Sequence, residues 1–210
     1  MKANGRIRVL LADDHFVVRM GLVALLNTEP GIEVVAEASD GKQAVEWFGR
    51  YLPDLVIMDL CMPIKNGIEA TVEIRRRFPD AHILMLTTFN GDEDIHQALE
   101  AGVQGYVLKN STAEALIPAV RAVAAGQRWV PKDVATRLAF GKSFEELTAR
   151  EVDVLHYLAK GLANKQIADE LHISEYTVKD HLKHILGKLR VADRTEAVTS
   201  AIQRGIIHLN

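Results

Sequence analysis

Cysteine is almost missing from this 210-residue sequence, which holds a single one, Cys61. One thiol excludes an internal disulfide and fits a reducing compartment. Long apolar runs are missing as well: no segment approaches the roughly 18–20 residues that cross a membrane. The opening MKANGRIRVLLADD passes from two arginines into a short apolar segment and then two aspartates. It lacks the length and the small-residue cleavage site of a signal peptide. Neither internal repeats nor low-complexity stretches occur. These absences lead to the expectation of a cytoplasmic protein with no membrane partner.

What is present is ordinary for a globular chain, with 48% apolar and 25% charged residues. The length suits one large domain or two small ones. The net charge of −3 hides an asymmetry. Residues 1–127 carry 12 Lys+Arg against 17 Asp+Glu, whereas residues 128–210 carry 13 against 11 and five of the eight histidines. An acidic front and a mildly basic back predict two domains with different partners.

Short apolar runs recur at 7–12, 32–38, 54–59, 82–87 and 105–109, separated and followed by helical spacing at 15–27, 41–50, 67–77, 92–101 and 112–125. Five strand–helix repeats predict a parallel sheet with helices on both faces, with the flavodoxin-like order 2-1-3-4-5 as the leading arrangement. STAE at 111–114 reads as a capping box in which Ser111 starts the fifth helix. The pattern lapses over 126–144, taken as a linker with room for a short helix at 133–140. Beyond it the spacing is purely helical. TARE (148–151), Ser174 and DRTE (193–196) open three helices, and Gly161 separates the first from a short helix at 164–171. The expected division is 1–125, 126–144 and 145–210.

Ligands of an open parallel sheet sit beyond the carboxyl ends of its strands. Strand 1 delivers Asp13 and Asp14 there, strand 3 Asp59, strand 4 Thr87 and Thr88, and strand 5 Lys109. Three converging carboxylates resist ionisation together unless a cation joins them. Hard oxygen ligands with positions left for water suit Mg²⁺. Such a site can take a phosphoryl group at one carboxylate, with Lys109 pairing one oxygen and Thr87 donating to another. Asp59 alone reads equally well as a turn or cap residue; it is the company of the other four that favours chemistry.

The segments LADDH, VIMDLCMP, LTT and GYVLK resemble the receiver domain of two-component response regulators over about residues 6–125. The resemblance implies that Asp59 accepts a phosphoryl group from a sensor histidine kinase. It also implies Asp14, Asp59 and the backbone carbonyl of Cys61 as direct Mg²⁺ ligands, with Asp13 acting mainly through bound water. Thr87 would move towards the acyl phosphate and Tyr106 would swing inward. Asn110 departs from the proline that follows the lysine in many receivers. His15 reads as an accessory or helix-start residue. Phosphatases that use an aspartate nucleophile carry a second Asp two residues later, where this chain has Cys61. An enzyme is therefore the weaker reading.

On the helix expected from 174 to 190, Val178, Leu182, Ile185 and Leu189 recur on one side and predict a core face. Tyr176, Lys179, Asp180, Lys183 and Gly187 fall largely opposite. LTARE, NKQIA, LHIS, TVKDH, KL and RTEA resemble the LuxR-type DNA-binding domain. With the receiver motifs they mark the NarL/FixJ class of transcription regulators. The resemblance implies a helix-turn-helix whose longer helix enters the major groove of double-stranded DNA, and a fourth helix at 193–204 able to pair two copies. Lys179, Asp180 and Lys183 would face the groove, and Asn164, Lys165, Thr177 and Lys188 would touch the DNA backbone. Asp180 stands where many relatives have an uncharged residue; it can accept from cytosine or pair with Lys179 or Lys183. Ala163 lacks the serine hydroxyl that often caps the preceding helix, so another group has to supply that cap. His181 reads as a packing residue. The whole predicts a homodimer formed on phosphorylation; a receiver that serves only for dimerisation, with no need of phosphorylation, is the alternative.

Overall fold

The structure is a computed structural model that describes residues 5–88, 91–130 and 145–208, apart from the side chain of Asp92. The proposed helix at 133–140 lies outside the described residues. Two compact units are present. The first contains strands β1 (Ile7–Ala12), β2 (Ile32–Ala38), β3 (Leu55–Asp59), β4 (Ile83–Thr87) and β5 (Gly105–Leu108). Its helices are α1 (Phe16–Thr28), α2 (Gly41–Tyr51), α3 (Gly67–Arg77), α4 (Asp92–Glu100) and α5 (Ala113–Ala124). The strands are parallel in the order β2-β1-β3-β4-β5, the flavodoxin-like order the sequence predicts.

Burial explains the composition of the strands. Every residue of β3 and β4 is buried, as expected of strands covered on both faces. Val9, Leu11, Leu55, Ile57, Leu84, Leu86 and Val107 pack on Leu116, Val120 and Val123 of α5 in one core. Asp59 therefore ends an apolar strand in the middle of the sheet, opposite Leu86 of β4.

Two local readings change. The fifth helix begins one residue later than read, with Thr112 rather than Ser111 at its N-cap. Ser111 is engaged in the turn after β5, its N–H donating to Leu108 O at 2.9 Å. Residues at the start of the stretch assigned to the linker continue the sheet edge. Trp129 N–H donates to Gln104 O at 3.0 Å and Trp129 O accepts from Tyr106 N–H at 2.9 Å. Its indole packs on the core of the first unit.

Gly67 sets how closely α3 approaches the tip of β3. A Cβ there would lie 2.1 Å from the Asp59 carbonyl oxygen, and the Gly67 N–H donates to Leu60 O at 2.8 Å. Gly67→Ala should push the helix start off the strand and destabilise the first unit by about 1–3 kcal/mol, measured by urea unfolding.

The second unit holds α6 (Ala149–Ala159), α7 (Asn164–Leu171), α8 (Glu175–Leu189) and α9 (Arg194–Gln203). Thr148 and Glu151 form the expected capping box, and Ser174 and Asp193 cap α8 and α9. At α7 the N-cap Ala163 offers no side-chain acceptor to the first turn, and only the reciprocal half of a capping box is present: Gln166 Oε1 accepts from Ala163 N–H at 2.8 Å. Val154, Leu155, Leu158, Ile167, Val178, Ile185, Leu189 and Ile207 form the core.

Candidate functional site

The acidic site is built from three strand ends. Asp59 is 3% exposed, and its Oδ2 accepts from Lys109 Nζ at 2.7 Å. The same ammonium lies 2.7 Å from Asp13 Oδ2. Asp13, buried just past β1, is fixed by further bonds: its Oδ1 accepts from His15 N–H at 2.8 Å and its carbonyl from Arg19 Nη1. Asp14 is the exposed carboxylate of the set, with Oδ1 2.8 Å from His15 Nδ1. Lys109 is held in turn by its N–H, which donates to Thr87 O at 2.8 Å. Thr87 is fully buried at the end of β4, and Cys61 is half-buried two residues past Asp59.

Burial pushes the Asp59 carboxyl up to about 6, in spite of the opposing pull of Lys109 and with help from the charges of Asp13 and Asp14. Burial works against the Lys109 ammonium too, but Asp13 and Asp59 hold it above the usual lysine range. One ammonium thus leaves three carboxylates undercompensated. Asp13, Asp14, His15 and Asp59 each bring a possible ligand atom within 4.8 Å of the others. An oxygen-rich, net-negative group of this kind fits a hard divalent cation. His15, read from sequence as accessory, is the added member: it stands at the N-cap of α1, which brings its ring back towards Asp14.

Tyr106 sits inward in this conformation. Its ring is already fully buried, on a β5 whose edge is paired to Trp129, so an inward swing is not open to it from this conformation. No peptide bond among the described residues is cis, including the one from Lys109 to Asn110.

In the second unit, α7 and α8 form the helix-turn-helix, joined through His172 in left-handed backbone. Val178, Ile185 and Leu189 of α8 are buried, while Tyr176, Lys179, Asp180, Lys183 and Gly187 are exposed. Lys165 is exposed, and Asn164 and Thr177 are half-buried, the Thr177 hydroxyl 2.8 Å from that of Ser174. The exposed charges pair along the helix. Lys179 lies 2.8 Å from Glu175, and Asp180 has its nearest ionic neighbour in His184, at 3.9 Å, rather than in a lysine. Among the described residues, His181 and His184 join no group with metal-ligand geometry.

Lys188 corrects the list of DNA-backbone candidates. Its Nζ lies 2.7 Å from Glu151 Oε2 and donates to Glu146 O at 3.1 Å, so it is turned inward to α6. Helical spacing places Lys188 between the two faces of α8, and spacing alone does not reveal the buried Glu151 that draws it in.

Comparison with known proteins decides the family. Residues 9–121 match the family described as response regulator receiver domain. The chain belongs to the response regulators. Residues 145–201 match the bacterial regulatory proteins of the luxR family, which makes this response regulator a member of the NarL/FixJ class of transcription regulators. It is 40% identical over 206 residues to the response regulator protein VraR of Staphylococcus aureus, covering 96% of this chain and 99% of that protein. A crystal structure of the response regulator ChrA, from a heme-sensing two-component system, is 43% identical, with a TM-score of 0.58 over 97% of this chain and 100% of that one. RcsB from Salmonella enterica serovar Typhimurium, bound to promoter P1flhDC with the phosphomimetic BeF3−, is 27% identical, with a TM-score of 0.67 over 94% of this chain and 98% of that one. The response regulator thus combines a receiver with an acidic group able to hold a metal ion and a LuxR-type DNA-binding domain.

Proposed function

We propose that Asp59 takes a phosphoryl group from the phosphohistidine of a sensor histidine kinase, and that this switches dimerisation and DNA binding. The observation that carries the reading is the Lys109 ammonium lying 2.7 Å from both Asp13 and Asp59, at the mouth of a sheet that buries the Asp59 carboxylate. In the transfer, an Asp59 carboxylate oxygen attacks phosphorus. A P–O bond forms, the P–N bond to imidazole breaks, and the nitrogen keeps the electron pair. Lys109 pairs a phosphoryl oxygen and Thr87 donates its hydroxyl to another. Asp14, Asp59 and the Cys61 carbonyl are the proposed Mg²⁺ ligands, with Asp13 acting through water. When bound, Mg²⁺ supplies charge neutralisation of the phosphoryl oxygens. Thr87 and Tyr106 are the proposed switch residues, Thr87 moving towards the acyl phosphate and the inward Tyr106 filling the space it vacates.

The same reading divides the chain into a receiver at 1–125, a linker at 126–144 and a DNA-binding domain at 145–210. The protein works in the cytoplasm, and among the described residues no helix is long and apolar enough to cross a membrane. The tail reads promoter half-sites as a homodimer through α8, with Lys179, Asp180 and Lys183 towards the groove and Asn164, Lys165 and Thr177 towards phosphates. Intact mass after incubation with Mg²⁺ and phosphoramidate tests the phosphoacceptor. One adduct, mapping to Asp59, is expected; an adduct on another residue overturns the assignment.

Lys183 is exposed, with no ion pair among the described residues. If it touches a phosphate, Lys183→Ala should lower the slope of log K against log salt by about 1, measured by fluorescence anisotropy on duplex DNA. An unchanged slope with lost base preference would instead place Lys183 on a base.

A further inference from the structure

The exposed side of α8 carries a residue whose surroundings give it nothing to do within the protein. Tyr176 is 80% exposed, the one large apolar side chain so exposed among the described residues of the second unit. It forms no ring contact or hydrogen bond there. At the helical turn angle it shares a face with Asp180, Lys183 and Gly187, opposite the buried Val178, Ile185 and Leu189. Gly187 marks the other end of this face. A Cβ added to it would meet nothing within 4 Å, so no neighbour in the protein requires a residue that weakens a helix. A bare backbone at one end and an uncovered aromatic at the other suit a face that a partner approaches closely. The lysines along it make an anionic partner the complementary one.

We propose that Tyr176 is a sequence-reading residue, its ring packing on the 5-methyl group of a thymine in the major groove. This rests on the reading of α8 as the groove helix. That methyl is the apolar group on the major-groove base edges, and an exposed aromatic matches it as no lysine does. Tyr176 is the second residue of α8, in the N-terminal part from which recognition helices reach bases. Tyr176 and Asp180 are separated by about 6 Å along the helix. With about 3.4 Å between successive bases on a strand, the thymine lies about two base steps from the base facing Asp180.

The test uses the full chain, phosphorylated with phosphoramidate and Mg²⁺, and a duplex selected by it from a random pool. Each thymine of the half-site is replaced in turn by deoxyuridine, which lacks only the methyl. One replacement should weaken wild-type binding about fourfold, the worth of one buried methyl. Tyr176→Phe should respond in the same way, because the ring is kept. Tyr176→Ser should bind about fourfold or more weakly and be indifferent to that replacement. The proposal is overturned if no deoxyuridine position matters, or if Tyr176→Ser keeps the affinity and selected sequence of wild type. Lys183→Ala separates the causes. If it weakens binding while Tyr176→Ser does not, the groove reading stands and Tyr176 falls; if neither changes binding, or no sequence is enriched, both fall.

Discussion

Asp59→Asn should abolish phosphoryl uptake from phosphoramidate and, at the same time, make the metal-free protein more stable at neutral pH. The loss follows from replacing the attacking carboxylate by an amide. The gain follows from burial. The Asp59 carboxyl is pushed up to about 6, so in the acid range the folded protein holds a proton that the unfolded chain has released. Stability from this group is therefore fully present below the ordinary aspartate range and is lost as pH rises through about 6. At pH 7.5 the ionised, desolvated Asp59 costs about 2–3 kcal/mol, which an uncharged amide avoids while Lys109 keeps its pair with Asp13. Urea unfolding between pH 4 and 8 reads the effect directly. Wild type should lose stability across the range relative to Asp59→Asn, and Mg²⁺ should narrow the gap at neutral pH. A variant less stable than wild type at pH 7.5 would contradict the charge imbalance deduced for the site.

Lys188→Ala should destabilise the second unit by about 3 kcal/mol, more than removing any exposed lysine of α8. Glu151 is 3% exposed, and its Oε2 gathers the Thr148 N–H at 2.6 Å, the Thr148 hydroxyl at 3.0 Å and Lys188 Nζ at 2.7 Å. Burial opposes the Glu151 charge, but the bonds from Lys188 and Thr148 outweigh it and hold the carboxyl below the usual glutamate range. The stability this gives is present at neutral pH and lost as pH falls through the depressed value. Without Lys188, a buried carboxylate is left with only its helix cap. Glu151→Gln with Lys188→Met removes both charges, and should recover much of the loss. A double-mutant cycle by thermal unfolding gives the coupling; additive effects would show that the pair is not a unit. Lys179→Ala breaks only the exposed pair with Glu175 and should change stability by less than about 0.5 kcal/mol.

The contrast between these two lysines shows what a sequence displays and what it withholds. The strands were legible because burial on both faces demands continuous apolar runs, and the run from Leu55 to Met58 ending in Asp59 has no other economical explanation. The acidic group was legible because parallel topology sends every strand's carboxyl end to one edge. Contacts between residues far apart in the chain were not. Spacing sets Lys188 on the flank of α8 and Lys183 opposite its core, but it does not reveal the Glu151 that draws Lys188 in. Trp129 reads as linker because its pairing with β5 is made through backbone atoms, which carry no residue signature. The inward Tyr106 depends on how β5 and its neighbours pack, and Gly67 on the distance between α3 and the Asp59 carbonyl.

The central claim is that a phosphoryl group on Asp59 governs DNA binding by α8. Its most direct test is the dissociation constant for a selected half-site duplex, measured by anisotropy with and without phosphoramidate and Mg²⁺, for wild type and Asp59→Asn. Wild type should bind about tenfold or more tightly once phosphorylated, as pairing raises the local concentration of readers, and Asp59→Asn should not respond. Equal affinities for wild type in both conditions, with Asp59 shown by mass to be phosphorylated, would contradict the switch and leave the receiver as a dimerisation module alone.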